Sequence, residues 1–355
     1  FSLENEFFDD ASLFLKLEKI SNDNYASIYN LEGTSPIIKD TSTLESTIEF
    51  SGEKNDFFID ISGEVYERMN VNNSDKYEFI YPNYALSKVY DLEGDYFNNY
   101  EVISSGHQKK YSTNIYELSQ VNDILISSNS FILNDTLNSN FRSLFKNVNT
   151  KSKNSGTYKE QTQSEILSNF IYDISLPLKK AERKFTKFLT PKISMRYSPN
   201  NTKNIQTSDS RLNIDNIFSI NRIGTNDDIE SGTSLTIGSE FLVKNKNNLD
   251  FLSFDIGSVF RKRENENLPS NSTLRNSQSD IVGNLTLSGI ENWSVDYDFS
   301  ADNDLETINL HSLKNTFKVN NFIHTFEFYE ENYSLGDNSY YSNNLTYEAN
   351  KNNFF

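Results

Sequence analysis

Apolar and polar residues alternate, one for one, in segment after segment from Leu13 to Tyr347. Leu44, Ser46, Ile48 and Phe50 stand against Thr43, Glu45, Thr47 and Glu49. Leu189, Pro191, Ile193, Met195 and Tyr197 stand against Thr190, Lys192, Ser194 and Arg196. Trp293, Val295, Tyr297 and Phe299 are separated by Ser294, Asp296 and Asp298. Successive side chains of a strand point to opposite faces, so this period predicts strands with one apolar and one polar side. The abundance of Tyr, Phe, Ser, Thr and Asn agrees, because these residues favour strands and turns over helices.

Alternation alone does not say which side meets water. In a soluble sandwich the apolar faces meet in cores; in a membrane barrel they face lipid and the polar faces line a wet interior. Hydrophobic residues make up 36% of the 355 positions, below the roughly 45–50% of soluble domains. A chain this long and this polar fills several compact cores poorly, yet its aromatic content of 14% sets it apart from a disordered chain. There is no run of about 18 apolar residues to make a transmembrane helix, so a membrane role requires a barrel. The connections come in two lengths: short ones such as Gly289-Ile290-Glu291-Asn292, and long stretches rich in Asn, Ser and Asp such as 198–210 and 263–279. Short turns at one rim and long loops at the other fit an outer-membrane barrel. The fold expected is therefore all-β, a large antiparallel transmembrane β-barrel with about 16–18 strands present. On this reading Trp293, Val295, Tyr297 and Phe299 face lipid, while Asp296 and Asp298 face the lumen.

Charge and composition exclude several functions. A net charge of −17 makes nucleic acid a poor partner. The one basic run, from Lys179 to Lys184, reads as a solvated hairpin tip. Without cysteine this stretch has no disulfide, thiolate chemistry or zinc-finger site. His107, His311 and His324 are dispersed without metal-ligand spacing. A hydrolase pairing of His311 with Asp302 or Asp304 is conceivable, but Ser and Asp are abundant enough to produce such pairings by chance. Asp302-Asn303-Asp304 and Asn226-Asp227-Asp228 lack the closing Glu of a calcium loop and read as Asx-rich turns. No enzymatic activity, metal or cofactor is expected.

The middle of the chain carries a further signal. Tyr172-Asp173-Ile174-Ser175-Leu176-Pro177-Leu178 precedes a strand with Leu189-Thr190-Pro191 and Tyr197. Then come Asp215-Asn216-Ile217-Phe218, Asn221-Arg222-Ile223-Gly224, Asp227-Asp228-Ile229-Glu230-Ser231-Gly232 and Gly238-Ser239-Glu240-Phe241. In order and spacing this resembles the barrel of the LPS-assembly protein LptD (OstA) family; elsewhere the agreement is in strand rhythm. The resemblance implies a translocon in the Gram-negative outer membrane. It would take lipopolysaccharide from a periplasmic Lpt bridge and insert it into the outer leaflet, with an LptE-like lipoprotein plugging the lumen and lipid leaving between the first and last strands. It makes Pro177, Pro191, Tyr197, Phe218, Arg222, Gly224, Gly232 and Gly238 structural positions of the family motif.

The family's N-terminal jelly roll and gate strands are not recognisable, so residues 1–355 read as a partial barrel domain. The cysteines that join the two domains in some members are also missing. Lys192, Arg196 and Glu240 alternate inward, giving generic lumen polarity or contacts to the plug or the glycolipid head group. A porin-like diffusion channel and a secreted β-sheet adhesin remain alternatives. Counting by twos from Phe355 would put Asn353 and Lys351 toward lipid, so Phe355 is expected to be a truncation point beside an unpaired edge.

Overall fold

The computed structural model describes residues 7–29, 40, 42–69, 71, 75–111, 114–133, 136–208, 210–333 and 336–348. The expected edge at Phe355 lies outside them. Eighteen strands are present among the described residues, with one short helical turn, α1 (Tyr25–Ile28), and a 3-10 turn at Thr273–Arg275. No helix among the described residues is long and apolar enough to cross a membrane. The chain divides into two compact units, residues 1–127 with 144–167 and residues 128–143 with 168–355.

The first unit contains β1 (Asp10–Lys16), β2 (Thr43–Lys54), β3 (Phe57–Arg68), β4 (Tyr77–Asp91), β5 (Phe97–Tyr111) and most of β6 (Ile115–Ser128). Each of β1 to β4 pairs antiparallel with the next. The β2–β3 hairpin turns through Asn55 and Asp56, at φ 48° and 60°. A two-residue hairpin turn that matches the twist of its strands needs positive φ at one or both turn residues, which among residues other than glycine Asn and Asp adopt most readily. Asparagine serves the same purpose at Asn292 and Asn320 in the other unit.

Besides β6, whose last residue lies in the second unit, β8 (Leu137–Lys153) and β9 (Gln163–Ser175) contribute to both units. The second unit adds β7 (Phe131–Leu133), β10 (Leu178–Ala181), β11 (Phe185–Ser198), β12 (Gly232–Asn245), β13 (Asp250–Arg261) and β14 (Ile281–Ile290). It closes with β15 (Trp293–Ala301), β16 (Ile308–Val319), β17 (Phe322–Tyr333) and β18 (Gly336–Tyr347). From β10 to β18 each strand pairs antiparallel with the next. The basic run forms the exposed β10–β11 hairpin, where Lys180 and Lys187 both reach Glu182 at 3.1 Å. Proline in a sheet needs a position where its missing N–H is not required. Pro177 stands between β9 and β10, and Pro191 lies opposite that break: β11 pairs with β10 up to Leu189 and with β9 from Lys192 onward.

Burial in β11 decides the question that alternation left open. Ile193, Met195 and Tyr197 are 39%, 52% and 52% exposed, whereas Ser194, Arg196 and Ser198 are 4%, 3% and 2% exposed. The strand covers its polar side and bares its apolar one, the reverse of a soluble half-buried strand. In β12, Ser234 and Thr236 are buried while Ile237 is exposed. Leu235, Phe254, Ile256, Val295 and Tyr297 are only partly buried, and Trp293 is exposed. None of these residues belongs to the buried apolar cluster of this unit. On the polar face of β14 and β15, Asn284 Nδ2 donates to Asp296 and Asp298, each at 2.8 Å. His311 meets the Tyr297 hydroxyl at 2.7 Å on the other side.

Candidate functional site: a folded loop on the polar face of β11–β13

What covers the polar face of β11 and β12 is the chain itself. The connection from β11 to β12, residues 199–231, does not extend into solvent as its polar composition suggests. It folds with residues 262–280, the connection from β13 to β14. Leu212, Ile217 and Ile223 of the first loop, Leu268 and Leu274 of the second, and Val259 and Val282 of the strands form the buried apolar cluster, with Phe218 packed beside it. Backbone bonds stitch the two loops: Ile205 N–H to Asn267 O at 2.8 Å and Ser270 N–H to Gln206 O at 3.1 Å. Asn265 and Asn267 add side-chain donors to Thr202, both at 3.1 Å.

Two glycines seat the loop on the sheet. Gly238 of β12 lies directly across from Gly257 of β13. A Cβ on Gly238 would come within 2.9 Å of the Phe218 ring, and one on Gly257 within 3.0 Å of Ile217 Cδ1. The slot therefore exists because both positions lack side chains, and the consecutive Ile217 and Phe218 fill it. Gly224 and Gly232, at φ +70° and +87°, turn the loop where an L side chain would be strained.

Charge fixes the loop's other end. Glu230 is buried and receives Arg222 in a two-pronged bond, with Nη2 to Oε1 at 2.7 Å and Nε to Oε2 at 2.5 Å. Arg261 also donates to it, and Arg196 Nε stands 3.8 Å away. Arg222 donates further to Ser234 Oγ at 2.8 Å, Thr236 Oγ1 at 2.9 Å and Ile217 O at 3.2 Å. Arg196 donates to the carbonyls of Ile220, at 2.8 Å, and Ser219. Burial would raise the Glu230 carboxyl, but the guanidiniums of Arg222, Arg196 and Arg261 outweigh it and hold the group at about 2. Nearby Asp228 is also buried and is pushed up by that burial to about 6, although it accepts the backbone N–H groups of Ile229 and Lys203.

These two carboxylates give the loop opposite responses to acid. Asp228 lies above its unfolded value of about 3.9, so its ionised form weakens docking above pH 6, and that penalty disappears as pH falls toward 4. Glu230 lies below its unfolded value; its stabilisation is complete above about pH 4.5 and is lost as pH falls toward 2. Thermal unfolding across pH 3–8 is expected to show a maximum between about pH 4 and pH 4.5, and Asp228→Asn is expected to flatten the rise between pH 7 and pH 5. An unchanged rise in that variant would remove Asp228 as its cause.

The positions singled out from the sequence fall into place unevenly. Phe218, Arg222, Gly224, Gly232 and Gly238 meet in this one assembly. Tyr197 faces outward from β11 and is exposed. Lys192 and Glu240 ion-pair on the polar face, and the Lys192 ammonium stands 5.8 Å from the Phe218 ring centroid. Arg196 is buried under the chain's own loop, so of the three inward candidates only Lys192 and Glu240 keep surface for a visitor. Beside them, Arg142 bonds Asp173 at 2.7 Å and the Phe218 carbonyl at 2.9 Å. A polar cavity of about 350 Å³ opens between Arg142, Asn140, Ser175, Lys192 and Phe218. Sequence reasoning singled out neither Glu230, Arg261 nor Gly257. The available signal was chemical: a buried Arg222 needs a carboxylate, and Glu230 is the acidic residue nearest the start of the next strand.

No curated protein matches the chain. Among solved structures, one described as "Copper transporter OprC" aligns at 11% identity and a TM-score of 0.30, too slight to bear on fold or function. The alignment covers 87% of this chain and 64% of that one, so the chain spans less than two thirds of that structure's length. The family profile described as "LptD: LPS transport system D" matches residues 4–353, nearly the whole chain. With its strand order and its outward apolar faces, the chain belongs to the LptD family of outer-membrane β-barrel proteins of lipopolysaccharide transport.

Proposed function

We propose that this chain is the barrel portion of a non-enzymatic translocon that passes lipopolysaccharide into the outer leaflet of the outer membrane. In this reading a periplasmic Lpt bridge supplies the lipid, and an LptE-like lipoprotein occupies part of the interior. The observation that carries it is the folded loop on the polar face. A diffusion channel needs a constriction open to solutes. Here residues 199–231 are packed down by an apolar cluster and three arginines, leaving beside them a polar recess with Lys192 and Arg142 at its wall. Cations with hydrogen-bonding side chains suit the phosphates and sugars of a glycolipid head group.

A photo-crosslinking residue at Lys192 tests this in cells of the source species. It is expected to capture lipopolysaccharide only while the periplasmic bridge supplies it, whereas the same residue at Tyr197, on the outward face of the same strand, captures resident outer-leaflet lipopolysaccharide whether or not the bridge is present. Capture at Lys192 that persists undiminished after the bridge is depleted, or normal surface lipopolysaccharide after depletion of the full-length protein, would reject the translocon reading. Solute flux through reconstituted protein without lipopolysaccharide capture would favour the porin-like alternative.

A further inference from the structure

On the outward face of β3–β5, in the first unit, a cleft of about 400 Å³ is lined almost entirely by apolar surface. Its origin is in the backbone. The β3–β4 register shifts between Ser62 and Glu64, and the β4–β5 register shifts between Ile80 and Asn83. These irregularities take Tyr81 and Pro82 out of the ladder, and Pro82 has no N–H to leave unpaired. Gly63 supplies the floor, where a Cβ would come within 3.2 Å of the Tyr81 ring. Ile48, Val65, Phe79 and Tyr81 form the walls, and all but Val65 are exposed. Glu64 lines the same stretch but turns its carboxylate to the other face, where it accepts from Ser62 at 2.8 Å, Tyr66 at 2.9 Å and Asn83 at 3.2 Å.

One cation stands at the end of this cleft. Lys110 pairs in register with Phe79 and so shares its outward face. It is exposed and has no hydrogen-bond or ion-pair partner among the described residues. Its neighbour Lys109 points the other way and pairs with Glu78 at 2.7 Å. Lys110 is next to last in β5, at the strand's rim, whereas Gly63 and Ile48 lie further along the sheet toward mid-strand. An apolar cleft running inward from an unpaired ammonium at the rim is shaped for a lipid whose head group is negative.

We propose that this cleft is a lipid-binding site, holding one acyl chain of an anionic membrane lipid whose phosphate sits on Lys110. The site is separate from the folded loop and does not depend on how lipopolysaccharide is exported. Native mass spectrometry of the purified full-length protein in detergent tests it, with phosphatidylglycerol and phosphatidylcholine of identical chains as probes. The wild type is expected to retain one phosphatidylglycerol about fivefold more tightly than phosphatidylcholine, the contribution of one lysine at an anionic surface. Lys110→Gln, at an exposed side chain whose loss disturbs no packing, is expected to bring phosphatidylglycerol down to the phosphatidylcholine level. Ile48→Trp, which fills the cleft, is expected to weaken both. Equal retention of the two lipids by the wild type, or an undiminished preference in Lys110→Gln, would overturn the proposal. So would a second copy of the chain bound in place of lipid.

Discussion

Replacing Glu230 by glutamine is expected to release the loop of residues 199–231 from the sheet. The substitution preserves size, removes the charge and turns one of the two accepting oxygens into an amide donor that faces arginine N–H groups. It leaves Arg222, Arg261 and Arg196 buried together with no carboxylate among them. Breaking a buried ion pair from one side costs about 3–5 kcal/mol, because the remaining charge is stranded in a poorly solvated site. The apolar cluster does not offset this: Ile217 and Ile223 belong to the same loop, and they leave the sheet when it leaves. Limited proteolysis of the folded protein is the measurement, with cleavage within 199–231 expected to accelerate at least about a hundredfold while the strands stay intact. Arg222→Met in the same chain is expected to recover part of the loss, since it removes one stranded cation. Wild-type cleavage rates in the single variant would show that the ion cluster does not hold the loop.

The second large effect belongs to the opposite face. Ile237 sits near the middle of β12, exposed, and pairs across to Ile193, also exposed. Ile237→Arg therefore places a cation near the centre of the lipid-facing surface, where it costs about 2–4 kcal/mol. Assembly into membranes is expected to fall sharply, read as loss of the heat-modifiable folded band. Asp255→Asn, on the polar face of the adjacent β13, is expected to fold like the wild type. Equal assembly of both variants would contradict the orientation of these strands.

The two faces differ in how far they could be read from sequence. Along β11 the pattern from Leu189 to Tyr197 is complete, and the strand, its outward residues and its inward residues follow from period alone. The low apolar fraction then favours lipid over a core. The loop could not be read this way. Leu268 and Leu274 stand apart among Asn, Ser, Thr and Arg, and the isoleucines at 214, 217, 220 and 223 recur every third residue, a spacing that matches neither the strand period nor a long helix. Their partners come from two connections and two strands, a proximity that only the antiparallel register of β11–β14 creates. Arg222 and Gly238 could be picked out through family resemblance, but the reason for each lies elsewhere in the chain. Glu230 neutralises Arg222, and Phe218 needs the space above Gly238. Likewise Asp228 reads as one more Asx-rich turn until its burial beneath the loop is seen.

The central claim is that the strands turn their apolar faces to lipid and their polar faces inward. The chain has no cysteine, so single cysteines can be placed at each position from 192 to 197 and spin-labelled in bilayers without background. Collision with dissolved oxygen, concentrated in lipid, and with a water-soluble nickel complex then reports each position's surroundings. The account requires oxygen collisions to peak at 193, 195 and 197 and to fall at 192, 194 and 196, with the nickel complex, wherever it gains access, following the opposite phase. Peaks at 192, 194 and 196, or no period of two, would contradict it.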